Sequence, residues 1–428
     1  MRTMIPSILL FFCITLCSCH AKKEPPENTI VSMQLIDRNG FSETISTKDR
    51  LAKYQETEFL SPQPYQKVLR VYHKDLQGKN SSKITTYHAN GHIWQYLDVV
   101  DGRAHGSYRE WYPNGLLHLE LEVIEGMADL SELAQHTWVF DGKNRIWEDS
   151  GALIAEISYE KGMLHKPSYY YYPSGKLQKV IPYEQDLING DILAYDEEGN
   201  VIECISYKGG NREGKATRSW SLGQMQYEEF YEGDKLLSAG YFDKEGALLG
   251  SIEQGNGYKA EMEETTLKAL IEYKKGIEEG QVKVFAKNGT LINLYYQKEG
   301  KKQGEEWEYF LSEDRAQLPS PKLALYWHDD MLQGEIKTWY SNGKQESQRE
   351  MNQNKKHGTS LAWYENGDVM LIEEYDLDRL IKGSYFKKGD KKPTSKIENG
   401  KGVATLYNAK GHFLKKIPYE KAAPIIEN

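Results

Sequence analysis

At 428 residues the chain is long enough for two or three ordinary domains, yet only 39 % of it is hydrophobic while it carries 30 Tyr, 9 Trp and 37 Gly. That mix suits sheet and turns rather than a helix bundle. A formal net charge of −9 argues against a nucleic-acid binder, which needs a basic face.

The chain opens with Arg2 and a mostly apolar run from Ile5 to Cys17, too short to span a bilayer and ending in small or thiol residues, as an export signal does. Its end, Leu16-Cys17-Ser18-Cys19, resembles the lipobox of bacterial lipoproteins. The resemblance implies a signal peptide over residues 1–18 and acylation of Cys19, with chains such as palmitate holding the protein at a membrane. His20 stands where some inner-membrane lipoproteins carry Asp, so the outer membrane is the expected address. Removing residues 1–18 takes Arg2 and no acid, so 53 basic residues face 63 acidic ones. Residues 19–28 read as a lipidated tether. Of four cysteines this leaves Cys204, a small strand residue with no disulfide partner.

Residues 29–80 fit no repeat, although Arg38-Asn39-Gly40 predicts one hairpin and "SPQP" (61–64) a break before "KVLRVY". From residue 81 to 420 a period appears. Glycines 91, 115, 151, 175, 199, 246, 289, 343, 367, 389 and 411 each follow an aromatic by four residues, from Tyr87 and Trp111 to Trp363, Tyr385 and Tyr407. Gly223 follows Trp220 by three. The commonest spacing is 24 residues, the mark of an array of supersecondary units. A second glycine stands five residues before the aromatic at 106, 142, 190, 280, 304, 334, 358 and 402. Eight residues after the turn glycine stands Tyr159, Tyr183, Tyr207, Tyr231, Tyr375 or Tyr419.

Each unit therefore predicts a hairpin of two short strands. In Tyr112-Pro113-Asn114-Gly115 proline fixes φ near −65°, so a type I turn with a left-handed glycine is expected rather than a type I′ turn. A lone hairpin is unstable, so units must pair edge to edge. The fold class expected is all-β, an elongated single-layer antiparallel sheet of tandem hairpins. Alternation assigns Leu153, Ile157 and Tyr159, and their equivalents, to one buried face together with the aromatic four before each turn glycine. The additional aromatics three before it, Tyr112, Tyr172, Tyr340 and Tyr364, then point to the opposite face and are the candidate surface-binding residues. Residues 124–141 and 310–325 break the period as inserted surface loops. One unit between Gly246 and Gly289 is degenerate, "EMEETTLKALIEY" (261–273) reading as a short helix. Residues 421–428 read as a tail.

The segments "YKKGIEEGQVKVFAKNGTLI" (273–292) and "YKGGNREG" (207–214) resemble the MORN-repeat variant of bacterial proteins, including those labelled YwqK-like antitoxins. "MQLIDRNGFSETIS" (33–46) and "SPQPYQKVLRVY" (61–72) resemble a conserved lipoprotein of chlamydia-like bacteria. The first resemblance implies an extended β-sheet scaffold that binds proteins or membrane lipids.

Enzyme signatures are missing from the sequence. It contains no G-x-S-x-G, P-loop or H-E-x-x-H pattern, and "QGNG" (254–257) reads as a turn. His88, His92, His105 and His118 sit at unlike positions relative to the turn glycines, which predicts solvated histidines and no metal site. Asp329-Asp330 and Glu278-Glu279 are assigned to inter-hairpin loops. The expected function is a membrane-anchored, non-catalytic scaffold binding another protein at the bacterial cell envelope, with no cofactor. A carbohydrate- or peptidoglycan-binding module, an antitoxin-like neutralising protein and a hydrolase sited in the insertions are the rivals.

Overall fold

The computed structural model describes residues 29–74, 78–220, 223–312 and 319–425. The export signal, Cys19 and the tether lie outside the described residues, as do 313–318 of the second insertion. The chain is 63 % strand and 3 % helix. It divides into two compact units, residues 1–163 and 164–428. Within each unit antiparallel strands pair in sequence as a meander, as the all-β repeat reading expects.

Two kinds of turn alternate along the meander, and local sequence dictates both. At the glycine turns Gly115 N–H donates to Tyr112 O at 2.8 Å and Tyr112 N–H to Leu116 O at 2.9 Å, with Gly115 at φ +86°. This is the type I turn closed by a left-handed glycine that proline at position 113 requires. The same turn, with Gly40 at φ +86°, joins Ile30–Ile36 to Ser42–Ile45. Successive hairpins are joined instead by two-residue turns in which both residues have positive φ, such as Gln353 (49°) and Asn354 (67°) or Asp329 (49°) and Asp330 (63°). These are type I′ turns, whose twist matches that of the flanking strands. Where Asp or Asn takes the second place, its side chain offsets the left-handed strain. Asp378 Oδ1 accepts from Lys356 N–H at 2.8 Å, and Asn354 Oδ1 from Leu332 N–H at 2.8 Å.

The glycine five residues before the aromatic faces the tyrosine eight after the turn, as in Gly142 with Tyr159, Gly190 with Tyr207 and Gly402 with Tyr419. The most buried column stands seven residues before the turn glycine. It contains Ile84, Tyr108, Asn144, Ser168, Ile192, Ala216, Val282, Ile336, Ser360 and Ala404, none more than 7 % exposed. Each pairs across the hairpin with the residue six after the glycine, for example Tyr108 with Leu121 and Ile192 with Ile205. The aromatic four before the glycine is half-buried in most units and belongs to the other face where ring contacts fix it. Trp339 stacks on Trp307 at 5.7 Å, and Trp111 packs against the cluster of Val68 and Tyr96. The expectation that this aromatic stripe shares the buried face is thereby corrected in those units, whereas Tyr385 keeps to it, 1 % exposed in one cluster with Ala404 and donating to Glu373 at 2.8 Å. The aromatics and the seven-before column have opposite parity, and a pleat sends them to opposite sides.

In the first unit both faces are covered. Neighbouring residues alternate between two cores, Val68 and Tyr96 in one, Leu69 and Leu97 in the other. Leu51 and Phe59, from the segment after the first hairpin, cover the first core. Leu130 and Trp138 of the 124–141 insertion cover the second, Trp138 meeting Tyr108 edge-on at 4.8 Å. That insertion is a cover with a one-turn helix, Glu132–Gln135, rather than a free loop.

Three further expectations change. Residues 261–273 form no helix: strands Asn256–Glu263 and Thr266–Lys274 run through them, since β-pairing on both sides outweighs local helix propensity. Glu278 and Glu279 lie inside Ile277–Phe285, while Asp329-Asp330 is indeed a turn. The supposed tail contributes Ala423–Pro424, folded back on Tyr419 and Glu420 by a type I′ turn at Lys421 and Ala422. In the second insertion, Phe310 N–H meets Ser320 O at 2.9 Å and Pro321–His328 is already strand.

Candidate binding surface

The four tyrosines expected at the surface serve another purpose. Tyr112 Oη donates to Trp147 O at 3.0 Å, Tyr172 to Tyr195 O at 2.7 Å, Tyr340 to Trp363 O at 2.7 Å and Tyr364 to Phe386 O at 2.6 Å. Each accepting carbonyl belongs to the turn of the following hairpin. Tyr364 is wholly buried and the other three are half-buried, so Tyr364 offers no surface at all. The reason is that position three before the glycine lies at the turn, where the neighbouring turn is the nearest partner. His88 belongs to the same column, its Nε2–H reaching Trp111 O at 2.7 Å, and so does Trp220, whose Nε1–H reaches Phe242 O at 3.3 Å. The turn asparagines add a second tie, as in Asn114 Nδ2 to Asp149 O at 2.8 Å. The turn glycines Gly91, Gly115, Gly151, Gly175, Gly199, Gly289, Gly343 and Gly367 all have positive φ, between +80° and +97°, the backbone role expected of them.

This arrangement predicts the cost of cutting one tie. Tyr364→Phe leaves the Phe386 carbonyl without its buried donor and should lower stability by about 1–2 kcal/mol in urea denaturation. A residue that served only a ligand would leave the urea midpoint where it was.

Burial also marks the tyrosines electrostatically. Desolvation pushes the Tyr340 and Tyr364 hydroxyls up to about 12, and raises those of Tyr241 and Tyr385, where a neighbouring glutamate adds to it. Because the folded values exceed the free value of 10.0, the neutral form is favoured by folding. Stability is full below pH 10 and is lost as pH rises from there through the folded values. The urea midpoint should therefore stay level to about pH 10 and fall above it, with tyrosinate absorbance of the native protein lagging behind a denatured control. Native and denatured titrations that coincide would refute this.

The strands between residues 201 and 263 of the second unit carry a groove on each face. On one side lies a polar groove of about 650 Å³. The buried Glu229 carboxylate is its centre, accepting from Tyr231 Oη at 2.8 Å and Tyr241 Oη at 2.6 Å, with Lys259 Nζ at 3.4 Å. Glu203 is held by Arg218 at 3.2 Å and Tyr227 Oη at 2.9 Å. Arg212 lies 4.3 Å over the Tyr231 ring and donates to its hydroxyl at 2.8 Å. The charges at its centre, Glu229 with Lys259 and Glu203 with Arg218, satisfy one another, which makes the cluster a lock between strands. Glu229 stands six residues after its turn glycine, where other units have Ile157, Ile181 or Ile205. An acid breaking an apolar column, followed two residues later by tyrosine, was the available signal, and Glu373 with Tyr375 at 3.1 Å and Tyr385 at 2.8 Å repeats it.

On the other side of the same strands is a groove of about 700 Å³ with an apolar lining. Phe230 pairs with Ser238, and Glu228 with Gly240. The two small residues leave the floor low beside Phe230 (43 % exposed) and Met225 (38 %). Phe242 completes the wall. Alternation alone separates this groove from the polar one, since Glu228 and Phe230 face away from Glu229 and Tyr231. Elsewhere Trp307 and Trp339 stack, and Trp307 lines a hollow with Tyr326, Glu305 and Lys337, Glu305 accepting from the Trp307 Nε1–H at 3.1 Å and Lys337 pairing with Glu335 at 2.6 Å.

The remaining sequence candidates lie apart. His105 Nδ1 meets Ile124 O at 2.8 Å and His118 lies 3.9 Å from Glu110. Among the described residues no group of three or more His, Cys, Asp or Glu converges as metal ligands. Cys204 is half-buried, its thiol pushed up first by burial and then by Asp191. No helix among the described residues is long and apolar enough to cross a membrane.

Comparison with known proteins adds one family feature. The model of the MORN repeat variant matches residues 164–185, the hairpin about Gly175. No curated protein matches the chain. Two solved structures are similar over much of it: "Crystal Structure of TcdB2-TccC3-TEV", at 11 % identity over 90 % of this chain and 24 % of that one, with a TM-score of 0.15, and "Crystal Structure of TcdB2-TccC3 without hypervariable C-terminal region", at 10 % identity over 83 % and 23 %, with a TM-score of 0.12. The chain spans about a quarter of the length of those structures. A MORN repeat variant set in an all-β array of hairpins is thus what comparison and fold together establish.

Proposed function

We propose that this chain is a non-catalytic repeat scaffold that binds another protein, held at the bacterial cell envelope by acylation of Cys19. The observation that carries the binding role is the apolar groove at Met225 and Phe230. Exposed aromatic and thioether surface, beside a floor lowered by Ser238 and Gly240, is the kind of patch that a partner's side chain fills. The repeat match at residues 164–185 supports a scaffold, and the Leu16-Cys17-Ser18-Cys19 sequence supports the anchor.

A photo-crosslinking residue placed at Phe230 in living cells should yield a discrete adduct, and one placed at exposed Lys415 should not. Phe230→Glu should abolish co-purification of the crosslinked protein without moving the melting temperature. Equal labelling at both positions, or none at Phe230, would remove the reading. Metabolic labelling with a fatty-acid analogue, lost in Cys19→Ser, tests the anchor separately.

A second reading, glycan binding, is favoured by the stacked Trp307 and Trp339 with their flanking polar groups, because sugar faces stack on indoles. Trp339→Ala should then release the protein from isolated cell-wall glycan while leaving the Phe230 adduct intact.

A further inference from the structure

A buried cation without a counter-charge lies in the first unit. Arg70, on the strand Lys67–Lys74, is 6 % exposed, and its Nε and Nη2 have no hydrogen-bond partner. Those two atoms form one edge of the guanidinium, the fork that matches two oxygens of a carboxylate or phosphate. Its close companion is the Phe59 ring, 4.4 Å from the guanidinium carbon. A ring face returns only part of what a buried cation loses in leaving water.

Arg70 lines a cavity of about 150 Å³ together with Lys83, Tyr54, Tyr72, Gln55 and Thr57. Lys83 Nζ lies 5.9 Å from the Tyr72 ring and 5.8 Å from that of Tyr96. Among the described residues neither cation has a carboxylate within ion-pair distance. Two positive charges without an ion pair thus share one small cavity in a chain whose net charge is −9, the nearby Asp98, opposite Lys83 on the paired strand, being engaged by the Tyr96 hydroxyl at 2.6 Å. Other cations of the first unit do have carboxylate partners, such as Arg109 with Glu120 at 2.9 Å and Lys67 with Asp129 at 2.7 Å. A water takes about 30 Å³ of liquid volume, so the cavity has room for a tetrahedral oxyanion and accompanying water.

We infer that this cavity binds a small oxyanion between Arg70 and Lys83, under the cover formed by Tyr54 to Phe59. Turning the guanidinium toward the cavity presents its free edge to two of the anion's oxygens. Lys83 supplies the second charge, and the Tyr72 hydroxyl is at hand as a donor. The site lies on a different unit from the apolar groove, so it stands or falls independently of the proposed partner binding.

The test is a thermal scan of the full chain in inorganic phosphate against chloride at matched ionic strength. The wild type should gain several degrees in phosphate. Arg70→Met should lose that response and, in phosphate-free buffer, melt above the wild type, because an apolar chain of similar length removes an uncompensated buried charge. Lys83→Met, a half-buried position where folding is not at risk, should shift the phosphate midpoint by at least about tenfold. Vesicles of phosphatidylcholine with phosphatidic acid distinguish the source. A vesicle-induced shift lost in Arg70→Met assigns a lipid headgroup, and a phosphate response without vesicle binding assigns a free anion. No response of the wild type to either, or a response kept in both variants, overturns the site.

Discussion

Glu229→Ala should cost about 3–5 kcal/mol, the largest loss from any single side chain of the second unit. The alanine would leave the Tyr231 and Tyr241 hydroxyls without their acceptor and the Lys259 ammonium without its ion-pair partner, all facing a void. Each buried donor then bears its own desolvation penalty, which exceeds the net worth of the bond that was made. Glu229→Gln keeps the shape and one acceptor oxygen, so it should cost less than half as much. Glu373→Ala is the internal control. Its carboxylate also binds two tyrosines, but it is half-buried and has no ammonium at ion-pair distance among the described residues, so a loss of about 2 kcal/mol is expected. Urea unfolding followed by tyrosine fluorescence would rank the three, and equal losses at Glu229 and Glu373 would contradict the lock.

Gly402→Ala should be nearly as damaging, for a backbone reason. Gly402 has φ +148°, and a Cβ there would stand 2.2 Å from Lys396 O and 2.9 Å from Ile397 Cα. Neither atom belongs to a side chain that can swing aside. Strain of about 1–3 kcal/mol from the backbone conformation, plus a similar amount from displacing the neighbouring strand, predicts a loss of about 3 kcal/mol or more. Gly300→Ala is the comparison, with φ +74° and open space around the new atom, where about 1 kcal/mol is expected. Because units in an array touch only their neighbours, the damage should stay local. Hydrogen exchange should rise across Ser395–Glu398, Lys401–Tyr407 and Phe413–Glu420 while the first unit remains protected.

Both variants show which parts of the molecule were legible from residues alone. The turn glycines were, because a left-handed φ is a property of one residue and its chemistry repeats in plain sight. Gly115, Gly175 and Gly343 each punctuate a strand pair whose lengths follow from their spacing. The degenerate unit is not legible in this way, because it dispenses with that glycine and turns at Glu264 instead, which leaves residues 261–273 without a marker. Glu229 is not legible from its column, which elsewhere buries apolar residues, because the hydroxyls that satisfy its carboxylate, those of Tyr231 and Tyr241, come together only in the folded sheet.

The sequence by itself determined the hairpins, their turns and their all-β class, since each depends on φ preferences and on alternation over fewer than ten residues. Tertiary structure decided which column is buried, because Ile84, Tyr108, Ser168 and Ala404 share no chemistry and have in common only that each is covered within its own unit. It decided that Tyr112, Tyr172, Tyr340 and Tyr364 tie one turn to the next, since the accepting carbonyls lie 22 to 35 residues away. It also placed Arg70 in the first unit beneath a cover whose approach no local pattern encodes. Local rules act within a turn or a strand, whereas burial and counter-charge are set by whatever the rest of the chain brings near.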